Sequence, residues 1–103
     1  MTPQTPDLQG RTILITGAGD GLGAVLARAA GRAGAEVILL GRTVHKLETV
    51  YDAIVADGGP QPAIYPLDLE GATPADYAEL ADRVGEQCGH LDAVIHNAAM
   101  LGS

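Results

Sequence analysis

The chain has 103 residues, 47% hydrophobic and 18% charged, with a formal net charge of −7. That length holds one ordinary domain, and that composition is globular rather than disordered. An acidic chain with no Phe, no Trp and three Tyr lacks both the basic footprint and the stacking surfaces of a nucleic-acid binder. Cys88 is the single cysteine, which leaves no intrachain disulfide and fits a reducing compartment. No apolar run reaches membrane-spanning length, and residues 1–10 carry neither a basic n-region nor an apolar h-region. The expectation is a cytoplasmic protein with no membrane or nucleic-acid partner. Binding an anion would set this chain against its own field, so such a site needs oriented backbone N–H groups and a well-placed cation.

Residues 1–10 read as a flexible lead. Thr12-Ile13-Leu14-Ile15 is then a compact apolar run with β-branched members, closed by Thr16-Gly17, the pattern of a buried strand. Leu22, Val25, Leu26 and Ala29 recur at helical spacing as the expected inner face of a helix ended by Gly31 and Gly34. A second strand, Val37-Ile38-Leu39-Leu40, stops at Gly41. Val44, Leu47, Val50, Tyr51 and Ile54 trace a second helix, terminated by Gly58-Gly59-Pro60. Residues 63–67 form a third strand. Thr73 and Pro74 read as the N-cap and first position of a third helix, whose inner face is Tyr77, Leu80, Ala81 and Val84. Residues 91–95 form a fourth strand, followed by His96-Asn97-Ala98-Ala99.

Strictly alternating strands and helices with short connections predict an α/β fold: a doubly wound parallel sheet with right-handed crossovers and helices on both faces. The strands are apolar throughout rather than alternating, as strands covered on both faces are.

Between the first strand and first helix the chain reads T-G-A-G-D-G-L-G over residues 16–23. A dinucleotide pyrophosphate needs a tight turn, bare backbone and the positive end of a helix. Gly17, Gly21 and Gly23 supply the turn, the close approach and the helix–strand packing. An S-adenosylmethionine site is a further reading of such glycines, and Gly19-x-Gly21-x-x-Ala24 matches the NAD fingerprint. Both expect an acid at the end of the second strand. Gly41-Arg42 stands there instead, and a guanidinium beside the adenosine ribose suits a 2′-phosphate. NADP(H) is therefore favoured over NAD(H). A P-loop is excluded, because no Lys-Ser/Thr pair follows the glycines.

These residues resemble the short-chain dehydrogenase/reductase family. Its T-G-x-x-x-G-x-G turn is matched by Thr16, Gly17, Gly21 and Gly23, its Asp-plus-aliphatic element by Asp68-Leu69, and its N-N-A-G segment by His96-Asn97-Ala98-Ala99. The wording is most similar to the YciK-like bacterial oxidoreductases. The resemblance implies an NAD(P)-binding Rossmann fold, here its first four strands in the order 3-2-1-4, so that residues 11–103 form a cofactor-binding half-domain. It implies cofactor contacts from Thr16, Gly17, Gly21, Leu22, Gly23, Arg42, Asp68, Leu69, Asn97 and Ala98, with Asp68 accepting from the adenine amino group. It also implies hydride transfer between NADP(H) and a carbonyl or alcohol substrate, in a full-length homo-oligomer. Asp20 departs from the basic residue often found there in NADP-preferring members.

The family's catalytic Tyr-x-x-x-Lys has no counterpart here. Residues four beyond Tyr51, Tyr65 and Tyr77 are Val55, Leu69 and Ala81, and Ser103 is the sole serine. No catalytic residue is assigned, and Cys88, His90 and His96 straddle a helix end and a strand, which disfavours a metal site. The expectation is the cofactor portion of a longer enzyme, inactive alone, with a non-catalytic cofactor-sensing module as the alternative.

Overall fold

A computed structural model describes residues 8–19, 21–67 and 73–95. The elements are β1 (Thr12–Thr16), α1 (Gly21–Arg32), β2 (Glu36–Gly41), α2 (Val44–Ala56), β3 (Ala63–Pro66), α3 (Pro74–Cys88) and β4 (Ala93–Ile95). The four strands form one parallel sheet in the order β3-β2-β1-β4, as the alternation and the resemblance predict. Leu67, Leu91 and Asp92 fall just outside the strands, although the Leu67 N–H still donates to the Gly41 carbonyl at 2.7 Å.

All five residues of β1 are buried, and Ile13 lies opposite Val37 on one side and Ala93 on the other. Side chains alternate across the sheet. Ile13, Ile15, Val37 and Leu39 pack with Ala27, Ala30, Leu47, Val50 and Ile54 of α1 and α2. Leu14, Ile38 and Leu40 pack with Leu80 and Val84 of α3 on the opposite face. Burying one Leu or Ile contributes about 1.5–3 kcal/mol relative to leaving it in water, so the apolar strands define both layers.

The inner face of α1 differs from the expected one. Leu22 and Val25 are 62% and 60% exposed, Ala29 is exposed, and Leu26 is half-buried. The buried residues are Gly23, Ala27, Ala30 and Gly31. The cause is the closeness of the helix to its neighbours. A Cβ on Gly31 would stand 2.7 Å from Ile54 Cγ2, and one on Gly59 would stand 2.6 Å from the Gly31 carbonyl oxygen. Gly31 therefore lies within α1 as a contact point with α2, and the turn that ends the helix is made at Gly34, whose φ is +102°.

Residues 8–10, assigned to the flexible lead from sequence, form a turn against this layer. The Leu8 N–H donates to the Ala33 carbonyl at 2.8 Å, and the Arg11 N–H donates to the Leu8 carbonyl at 2.9 Å. The Leu8 side chain packs on the α1–α2 core.

Helix α3 starts as expected at Thr73-Pro74 and closes a reciprocal cap. The Asp76 N–H donates to Thr73 Oγ1 at 3.3 Å, and the Thr73 N–H donates to Asp76 Oδ2 at 2.9 Å. At the amino edge of the sheet, Asp92 fastens β4 to β1. Its N–H donates to the Thr12 carbonyl at 2.8 Å, and its Oδ2 accepts from the Thr12 N–H at 2.7 Å and lies 2.8 Å from His90 Nδ1. Arg11 stands 3.8 Å away.

Two outcomes are expected. Gly31→Ala gains up to about 1 kcal/mol of helix propensity but forces a methyl into buried Ile54, a cost of about 1–3 kcal/mol. Denaturant unfolding should show a net loss of about 1 kcal/mol, reversed in sign in an Ile54→Ala background. The second concerns pH. The Thr12 N–H, then His90 and Arg11, outweigh partial desolvation and hold the Asp92 carboxyl below its usual range. A lowered folded pKa contributes stability that is present above the unfolded value of about 3.9 and lost as pH falls through the folded one. Asp92→Asn should lower the melting temperature at neutral pH and flatten its fall below about pH 4.

Candidate functional site

Parallel strands place every carboxyl end on one edge. Thr16 is the last residue of β1, is 1% exposed, and donates from Oγ1 to the Ile95 carbonyl at 3.4 Å. The chain then turns through Gly17, whose φ is +64°, and enters α1 at Gly21, whose φ is +47°. Both lie in the left-handed region that favours glycine. Ala18 between them is fully buried, and its N–H donates to the Leu40 carbonyl at 3.1 Å, which fixes the turn to the end of β2.

Arg42 is exposed two residues beyond Leu40, so the turn and the guanidinium-bearing loop emerge side by side. Leu47, fully buried in the first turn of α2, joins them from below. Its Cδ2 lies 3.2 Å from where a Cβ on Gly41 would be and 3.5 Å from where one on Gly19 would be. A Cβ on Gly19 would also stand 2.9 Å from the Cβ of Lys46.

The edge therefore brings together Thr16, Gly17, Gly21, Leu22, Gly23 and Arg42. Gly23 is buried beneath the turn, while Leu22 is exposed at the start of α1. Asp20, Asp68, Leu69, Asn97 and Ala98 lie outside the described residues, although β3 and β4, which precede the last four, end at this same edge. Sequence reasoning named Gly19 within the glycine fingerprint but not its contact with α2, and it missed Ala18, which anchors the turn, and Lys46, which packs against Gly19. The available signal was the two-residue spacing between Gly41 and α2, which obliges the first turn of α2 to pass close to the glycines.

The local chemistry suits an anion. Neither α1 nor α2 has an acid in its first turn, where the partial positive charge of a helix amino end lies; Asp20, outside the described residues, directly precedes α1. A Cβ on Gly21 would meet nothing within 4 Å, which leaves bare backbone facing open space. Bare backbone at a helix amino end and a planar guanidinium are the kinds of donor that phosphate groups take. The concavity between α3 and β4 is of opposite character: it lies away from the turn and its charged carboxylates are Asp82, Glu86 and Asp92. Cys88, nearby on α3, has its thiol pushed up by burial and by Glu36, which disfavours the thiolate.

Residues 11–103 match the family model of the short chain dehydrogenases. The chain belongs to the short chain dehydrogenase family. YciK, an uncharacterized oxidoreductase of Escherichia coli (strain K12), is 43% identical over 100 residues, covering 97% of this chain and 40% of that protein. A short chain dehydrogenase of Escherichia coli CFT073 complexed with NADPH superimposes with a TM-score of 0.81 at 43% identity, over 96% of this chain and 41% of that one. Another, from Shigella flexneri 2a str. 301 and complexed with NADP, gives 0.80 at 42% identity, over 95% and 41%. The chain thus spans about 40% of the length of these family members, and its four strands are those of their Rossmann fold.

If the glycine turn is set by backbone conformation, Gly21→Ala should destabilise the chain by about 1 kcal/mol, because a left-handed L-residue costs about 1–2 kcal/mol and a stiffer unfolded chain returns part of it. Gly21→Asn should cost less. Equal losses for both substitutions in chemical denaturation would show that crowding, not φ, selects glycine there.

Proposed function

We propose that residues 11–103 are the cofactor-binding half-domain of an NADP(H)-dependent oxidoreductase that interconverts a carbonyl and an alcohol. The observation that carries this reading is Arg42. It stands just beyond β2, beside the glycine turn that Ala18 ties to Leu40, where a family member that takes NAD would present an acid to the ribose hydroxyls. NADPH and NADP in two similar solved structures support it.

On this reading Gly17, Gly21 and the amino end of α1 hold the pyrophosphate. Gly23 lets α1 approach the sheet, and Leu22 lines the cofactor at the mouth of the turn. Thr16 positions the turn by fastening β1 to β4. Arg42 meets the 2′-phosphate. Asp68 and Leu69 are assigned to the adenine, and Asn97 and Ala98 to the ribose region next to nicotinamide. The cofactor, when bound, supplies the hydride. This chain's residues bind and orient, and no catalytic role is assigned to any of them. A general acid–base pair such as Tyr-x-x-x-Lys and the substrate-binding groups belong to the intact enzyme, which we place in the cytoplasm as a homo-oligomer.

Titration with NADPH and NADH, followed by nicotinamide fluorescence, tests the assignment. NADPH should bind more tightly. Arg42→Ala should weaken NADPH about tenfold, the scale of one charged hydrogen bond at an exposed site, and leave NADH nearly unchanged. Gly41→Asp with Arg42→Ile should reverse the preference, with some loss of stability because position 41 abuts Leu47. Equal or tighter NADH binding by the unaltered chain defeats the role given to Arg42.

A further inference from the structure

The chain has six Lys and Arg residues against thirteen acids, so the placement of each cation matters. Arg11 pairs with Asp92, Arg28 with Asp57 at 3.3 Å, and Arg83 with Glu79 at 3.2 Å. Arg32 closes the far end of α1. Arg42 and Lys46 are the two that stand at the carboxyl edge, one just before α2 and one in its first turn.

Lys46 is also the residue that Gly19 accommodates. The backbone of Gly19 is not in the left-handed region, so its conformation does not call for glycine. Space does. With Lys46 Cβ 2.9 Å and the Lys46 carbonyl carbon 3.5 Å from a Cβ built there, any side chain at position 19 would push α2 from the turn. Bare backbone at Gly19 thus seats the Lys46 stem directly on the cradle, on the side where Arg42 emerges. A lysine carries its ammonium on a flexible four-carbon stem as a compact point charge, and with its Cβ against Gly19 that stem starts beside the turn.

We infer that Lys46, seated against Gly19, is a second cation for the 2′-phosphate and shares with Arg42 the selection of the phosphorylated dinucleotide. The inference rests on the NADP(H) reading above. A phosphate monoester carries close to two negative charges near neutral pH, more than one guanidinium neutralises. In a chain of net charge −7, the second cation offsets a repulsive background.

The test measures equilibrium dissociation constants of the full chain for NADPH and NADH. Lys46→Met keeps most of the stem and removes the charge. It should raise the NADPH constant about three- to fivefold, the scale of an exposed ion pair, change the NADH constant less than twofold, and reduce the loss of NADPH affinity with added salt. Lys46→Arg should restore NADPH affinity. Gly19→Ala should weaken NADPH more than NADH, and if that variant does not fold, the two Lys46 variants still decide. Equal weakening of both cofactors by Lys46→Met overturns the inference, since the charge would then serve the shared pyrophosphate. So does an unchanged NADPH constant. In either case a selective effect of Arg42→Ala leaves the NADP(H) reading standing. Tighter NADH than NADPH binding by the unaltered chain removes both.

Discussion

The structure hangs on the parallel pairing of β1 between β2 and β4. Five consecutive residues are buried and paired with β2, and the central three, Ile13, Leu14 and Ile15, are paired with β4 as well, so their backbone polar groups find partners in the neighbouring strands. Parallel pairing also makes the two edges of the sheet unequal. The helices that follow β1 and β2 begin at the carboxyl edge and bring the positive ends of their dipoles there. The amino edge receives instead the Asp92, Thr12, His90 and Arg11 cluster, which locks β4 in register. In a chain acidic overall, the amino ends of α1 and α2 and the cations Arg42 and Lys46 thereby come to one edge.

The second requirement is closeness, met by missing side chains. Gly31 and Gly59 let the ends of α1 and α2 touch around Ile54, and Gly19 and Gly41 let the start of α2 touch the turn and the end of β2 around Leu47. These glycines are selected by contact. Gly17 and Gly21 are selected by positive φ. The same residue type thus answers two different physical demands, and both occur within the turn after β1, at Gly19 and at Gly17 and Gly21.

Much of this was legible in the sequence, and the exceptions share a cause. Apolar runs of four residues located the strands, and the Thr16-to-Gly23 wording located the turn. The cap at Thr73-Pro74 was visible because capping chemistry is local. The inner face of α1 was misread because hydrophobic periodicity weights large side chains, whereas this helix packs through Gly23, Ala27, Ala30 and Gly31 and turns Leu22 and Val25 outward. Gly31 was read as a stop for the same reason: a close contact with Ile54 is 23 positions away and leaves no local mark. Leu8 likewise had no periodic neighbour to reveal that it docks on the core. Of the candidate site, six residues gather at one edge as the turn and Gly41-Arg42 implied, and Asp68, Leu69, Asn97 and Ala98 lie outside the described residues. Lys46 escaped notice because its relation to the turn is set by α2 packing.

On the NADP(H) reading proposed above, that packing links cofactor choice to the fold. Family members that bind ribose hydroxyls place a carboxylate at the end of the second strand, and the position available for it here is Gly41. Leu47 Cδ2 stands 3.2 Å from where the first side-chain atom at 41 would go, and Leu47 is fully buried with Gly19 on its other flank. A side chain at 41 requires the Leu47 Cδ2 methyl to give by a few tenths of an ångström, in the same α2 turn that carries Lys46 and follows Arg42. Bare backbone at 41 and at Gly19 thus meets around one buried leucine, and Arg42 directly follows the first of these positions.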